Sequence, residues 1–310
     1  MFDIFQHITR PKPDLFFRKN DANDVRLGEI IPRNEYEDSD VVILGCPQDE
    51  GVRRNSGRLG AALAPDAIRA QFYKLTDFGI TAKVFDLGDT IIQNSLEETH
   101  NAHTRIAAQI LRDGKRIVAL GGGNDLSFAD GAAMAETCGA ENWLAFNIDA
   151  HFDVRADQAR NSGTPYRQLL DEKLVNPKNF YEIAFQPQAN SKIYFDFLQN
   201  LGAHLISLEE FQTSKFKTDF EQTLSALNSQ FSTFWGFDVD AVRAADAPGT
   251  SAPSPIGLSA NEFVNLAKLA GNSPQTKIVE FTEVNPNFDI DNRTAKLVAI
   301  AIHNLLSAIK

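Results

Sequence analysis

Eight short runs of near-continuous apolar residues, each followed by a longer amphipathic or loop-like stretch, constrain this chain most. They are VVILGCP (41–47), KVFDLGD (83–89), RIVALGG (116–122), WLAFNIDAH (143–151), FYEIAFQ (180–186), AHLISL (203–208), FSTFWGFDVD (231–240) and KIVEFTEVN (277–285). Apolar character on successive residues, rather than on alternate ones, marks strands buried on both faces, as in a parallel sheet. The clearest helix candidates between them span 96–114, 190–202, 259–271 and 292–309, several opening on Ser or Asn and closing on Gly. Those are the residues that cap helix ends. The alternation predicts an α/β fold, either a three-layer sandwich or an eight-stranded barrel. Residues 41–310 read as a single domain, and residues 1–40 as an irregular N-terminal arm packed on it. No internal repeat, low-complexity tract or long linker interrupts the pattern.

The formal net charge is -11, which repels nucleic-acid phosphates and anionic lipid and excludes both as partners. No run approaches the roughly 20 apolar residues that span a bilayer. The N-terminus, MFDIFQHITRPKPD, has no apolar signal core. With only Cys46 and Cys138, neither a disulfide scaffold nor a thiolate metal site is available, and a cytoplasmic protein is expected.

The chemistry-bearing residues lie at the C-terminal ends of the predicted strands, where parallel sheets place their sites. In FNIDAHFDVR (146–155), Asp149, His151 and Asp153 alternate. In an extended chain, alternate residues share a side, so three ligand-type groups converge. Asp238 and Asp240 in WGFDVDAV (235–242) repeat the spacing. Four clustered carboxylates repel one another unless cations neutralise them, and two divalent ions supply the matching charge. Oxygen-rich ligation with one imidazole suits manganese better than zinc. The plain alternative for any single aspartate is a helix cap or turn residue. It loses force for the set, because burying unpartnered carboxylates in apolar strands is costly.

These motifs resemble the ureohydrolase superfamily of arginases, agmatinases and formiminoglutamases. The resemblance rests on DAHFD (149–153), DVD (238–240), the triple glycine Gly121–Gly123 and EVNP (283–286). It runs from about Val41 to the C-terminus. It implies a three-layer α/β/α sandwich with an eight-stranded, mainly parallel sheet. It further implies two Mn2+ ions bridged by Asp149 and Asp238, with Asp153 on the first ion and His151 and Asp240 on the second. A hydroxide held between the ions would attack the substrate carbon. Asp153 would accept a hydrogen bond from that hydroxide, and Glu283 would pair with the cationic amidine. Asn124 stands where the family carries a histidine on the first metal. An amide oxygen is a weaker ligand, so that ion is expected to bind less tightly. Members commonly form trimers or hexamers, so a homo-oligomer is implied.

Two segments favour formiminoglutamate over arginine. Arg155 stands where arginases carry an asparagine, and NSGTPYRQ (161–168) resembles the corresponding formiminoglutamase segment. Ser162, Gly163, Thr164 and Arg167 thereby become substrate-site candidates alongside Arg155. An arginine fork suits an acidic amino-acid derivative. Of Arg53, Arg54 and Arg58, at least two are expected to pair with acidic neighbours. The competing readings are an arginase- or agmatinase-type guanidino hydrolase and a metal-poor, non-catalytic binding subunit. No GxSxG or GxGxxG motif is present, which sets aside serine α/β-hydrolases and dinucleotide binding. His100 and His103 read as solvated or packed side chains of a helix.

Overall fold

Strand β2 (Val41–Gly45) is buried throughout. Its Val41 and Ile43 join one apolar cluster, whereas Val42 and Leu44 join another. Alternate side chains of a strand leave opposite faces, so a sheet with a hydrophobic core on each side follows directly. The computed structural model describes residues 2–213 and 230–310, and it shows this three-layer arrangement. Helices Ala64–Phe72, Ala260–Asn272 and Arg293–Ala308 pack together on one face, and Leu96–Arg112, Leu126–Cys138 and Pro165–Asp171 on the other. A barrel is thereby excluded. No helix among the described residues is long and apolar enough to cross a membrane.

All eight expected strands form: β2, β3 (Val84–Thr90), β4 (Arg116–Leu120), β5 (Trp143–Ile148), β6 (Phe180–Phe185), β7 (His204–Ser207), β8 (Ser232–Asp238) and β9 (Thr276–Thr282). The sheet nevertheless has nine strands rather than eight. The extra one, β1, is Ile8–Thr9, paired antiparallel to β3 at the sheet edge. Two residues are too few to carry a periodic signal, so the pairing is invisible in the sequence.

The order is β1-β3-β2-β4-β9-β8-β5-β6-β7, and every pair except β1–β3 is parallel. Strands β4, β9, β8 and β5 are thus neighbours at the centre. Their C-terminal ends carry Asn124, Glu283, the Asp238–Asp240 pair and the Asp149–Asp153 run respectively. Motifs separated by more than a hundred residues meet because their strands are adjacent. The triple glycine permits close packing at this edge: a Cβ on Gly122 would lie 1.6 Å from the Gln48 carbonyl oxygen.

Candidate metal centre

Beyond Ile148 the chain leaves the sheet, and the first aspartate of the run folds it back. Asp149 Oδ1 accepts from the backbone N–H of His151 at 2.7 Å. Asp238 does the same after β8, its Oδ1 accepting from the N–H of Asp240 at 2.8 Å. Each aspartate spends one oxygen on its own turn, the local competition that Asx residues offer the backbone. Convergence therefore comes from paired bends rather than from an extended chain. Asp153 departs furthest, with φ at 47°, in the left-handed region that non-glycine residues seldom occupy.

The bends gather two ligand groups. Atoms of Asp149, His151 and Asp240 lie within 4.8 Å of one another, as do atoms of Asp149, Asp153 and Asp238. Asp149 belongs to both. His151 Nδ1 stands 3.4 Å from Asp149 Oδ1 and 3.3 Å from Asp240 Oδ2.

Electrostatics single out this cluster. Burial, with Asp240 beside it, raises Asp149 to about 6. Burial first and carboxylate neighbours second push Asp153 and Asp238 well above the usual range. The field of Asp240 foremost raises the His151 imidazole. Asp240 Oδ1 is buried without a hydrogen-bond partner. Oxygen donors crowded together with one imidazole, with no Lys or Arg paired to them among the described residues, fit hard divalent ions.

Asn124 is brought to the first group in an unexpected orientation. Its Nδ2 donates to Asp153 Oδ2 at 2.6 Å, whereas Oδ1 accepts from Ser127 Oγ at 3.0 Å and Thr282 Oγ1 at 2.9 Å. Glu283 is anchored on the same loop: its Oε1 accepts from the Asn124 N–H at 2.8 Å, and its Oε2 makes no hydrogen bond among the described residues. Glu283 also has positive φ, 64°. Burial raises its carboxyl to about 8.

A cavity of about 540 Å³ opens over these groups, lined in part by Asn55, Arg58, Arg155, Ser162 and Glu283. Arg155 is exposed at its rim and has no side-chain hydrogen bond or ion pair among the described residues. Ser162 Oγ accepts from Asn55 Nδ2 at 3.0 Å. Gly163 lets Arg155 lie close, since a Cβ there would sit 2.7 Å from Arg155 Cδ. Thr164 is buried behind, donating to the Asn161 carbonyl at 2.9 Å. Arg167, expected at the substrate, is not brought there. Its Nε donates to Asp171 Oδ2 at 2.7 Å and its guanidinium stacks 4.0 Å over Phe197.

Arg53 and Arg54 pair with Glu50, as expected of two of the loop arginines. Arg58 instead lines the cavity, its Nε donating to the Ser251 carbonyl at 3.2 Å. Of the two readings of His100 and His103, solvated or packed, the structure shows the packed one, with both fully buried. His100 Nε2 lies 2.7 Å from Asp125 Oδ2 and His103 Nε2 3.2 Å from Asp130 Oδ1. Sequence reasoning also missed Asn190, whose side chain bonds the backbone of both Ala150 and Phe152 and so braces the metal loop. An isolated asparagine far along the chain carries no signal of that role.

A central parallel sheet with two carboxylate groups at its C-terminal edge defines a member of the arginase family. The family model matches residues 39–307, and the chain belongs to that family. Among its relatives, formimidoylglutamase from Staphylococcus aureus is 32% identical over 269 residues, 86% of each chain. The crystal structure of Trypanosoma cruzi formiminoglutamase with Mn2+ is 32% identical. It covers 92% of this chain and 98% of its own, with a TM-score of 0.83. Formimidoylglutamase from Bacillus subtilis, at 22% identity, shares the fold over 94% of each chain with a TM-score of 0.85.

Proposed function

We propose that this chain is a manganese-dependent formiminoglutamase, hydrolysing N-formimino-L-glutamate to L-glutamate and formamide. The observation that carries the reading is Asp149, shared by two ligand groups beneath a cavity whose rim bears Arg155, unpaired among the described residues. The names of the staphylococcal and trypanosomal relatives, and the manganese of the latter, support it.

Asp149, Asp153 and Asp238 would hold one ion, and Asp149, His151 and Asp240 the other. Two such ions, when bound, supply a water of lowered pKa and neutralise the surrounding carboxylates. Glu283 holds the amidinium of the substrate through its Oε2, fixing the formimino carbon above the carboxylates. Asp153 accepts a hydrogen bond from the attacking water and holds the proton it gives up. As the carbon–nitrogen bond breaks, that proton goes to the α-nitrogen of glutamate, the remaining hydroxyl proton follows it so that the amine leaves as an ammonium, and the carbonyl forms on formamide. Arg155, with Ser162 beside it, takes a substrate carboxylate. In a chain of net charge -11, a dicarboxylate needs such a local cation to enter.

The test is turnover by purified, manganese-loaded protein of formiminoglutamate, arginine and agmatine in parallel. Formiminoglutamate is expected to be hydrolysed with the highest kcat/KM. Faster turnover of arginine or agmatine overturns the substrate assignment, and no turnover with no bound manganese favours a non-catalytic binding subunit.

A further inference from the structure

The one atom of Asn124 able to bind a metal ion, Oδ1, is already engaged by two hydroxyls from different elements. Ser127 lies in the first turn of helix Leu126–Cys138 and Thr282 is the last residue of β9. Both are buried. They donate over 3.0 Å and 2.9 Å, and the amide nitrogen is left facing Asp153 Oδ2 at 2.6 Å and Asp149 Oδ2 at 3.4 Å.

The proton inventory favours this direction. Ser127 has a single proton to give, and Glu280 Oε2 at 2.9 Å is a second acceptor for it. The Asn124 nitrogen faces two carboxylate oxygens, which accept, so the amide oxygen is the end turned to the two hydroxyls. Among the described residues, the other acceptor for Thr282 is the Phe237 carbonyl at a long 3.5 Å.

We infer that Ser127 and Thr282 are positioning residues that hold the Asn124 amide as a donor and thereby weaken the first metal position. The inference rests on the reading that Asn124 faces that position. To offer Oδ1 to an ion, the amide must turn over and surrender two O–H···O bonds. Each is worth about fivefold in an equilibrium constant.

The test is calorimetric titration of metal-free protein with manganese, for the parent chain, Ser127→Ala, Thr282→Val and the double variant. The weaker binding step is expected to tighten about fivefold per hydroxyl removed, with the tighter step unmoved. Thr282→Val keeps the side-chain shape and suits a strand, so it carries the test if Ser127→Ala does not fold. In an Asn124→His background, Thr282→Val is expected to lose its effect, which a merely structural threonine would not do. If the weaker step stays the same or loosens in folded hydroxyl variants while Asn124→His tightens it, the hydroxyl clamp is wrong and the placement of Asn124 stands. If Asn124→His also leaves it unchanged, Asn124 does not face the metal and both fall.

Discussion

The backbone N–H of Asn124 donates to Glu283 Oε1 at 2.8 Å, so one loop sets both the metal-side amide and the carboxylate above the site. Glu283 Oε2 is buried without a hydrogen bond among the described residues, close to the Ser251 side chain, and lines the cavity where a cationic substrate group would lie. Glu283→Gln keeps the bond to Asn124 and removes the negative charge that the carboxyl takes once an amidinium lies beside it. We expect kcat/KM to fall about a hundredfold or more, with manganese stoichiometry unchanged. Loss of manganese in the same variant would make Glu283 part of the metal site instead.

Among the described residues, Arg155 has no side-chain hydrogen bond or ion pair at the cavity rim. Arg155→Leu is expected to raise KM for formiminoglutamate about tenfold, the value of a hydrogen bond to a charged group. Inhibition by agmatine, which has no carboxylate, is expected to stay constant. Equal weakening of both ligands rejects a carboxylate role.

Arg167 serves as the contrast. It is tied to Asp171 and Phe197, so Arg167→Ala is expected to leave KM unchanged and to cost about 0.5 kcal/mol of stability. A raised KM for formiminoglutamate at unchanged stability would return Arg167 to the substrate site.

The buried carboxylates make metal-free stability depend on pH. Asp149 is raised to about 6 and Glu283 to about 8 in the folded chain, above their unfolded values near 4. A carboxyl raised by folding contributes stability that is complete below its unfolded pKa and is lost as pH rises through the folded one. The metal-free protein should therefore lose stability between about pH 4 and pH 8 from these groups. Manganese, by neutralising the cluster, should raise Tm more at pH 8 than at pH 5. Thermal unfolding with and without manganese measures this, and an equal increment at both values counts against the burial argument.

Much was legible in the sequence because it is written locally. Continuous apolar runs announced all eight long strands, since burial on both faces leaves no polar alternation. The carboxylates stood out because Asp149, Asp153, Asp238 and Asp240 end such runs, where an unpaired charge is costly. The triple glycine announced close backbone approach, and Gly122 packs against Gln48. The two-residue β1 and the histidines of helix Leu96–Arg112 were not legible. Their partners lie in other elements, and neither spacing nor composition names them.

By itself the sequence determined the α/β class, the strands, and the residue types able to hold divalent ions. Tertiary structure alone decided the strand order that sets β4, β9, β8 and β5 side by side. It also decided that Asn124 presents its nitrogen to Asp153 and that Arg167 pairs away from the cavity. Strand pairing, amide orientation and ion pairing depend on atoms brought together from distant positions, so no local pattern encodes them.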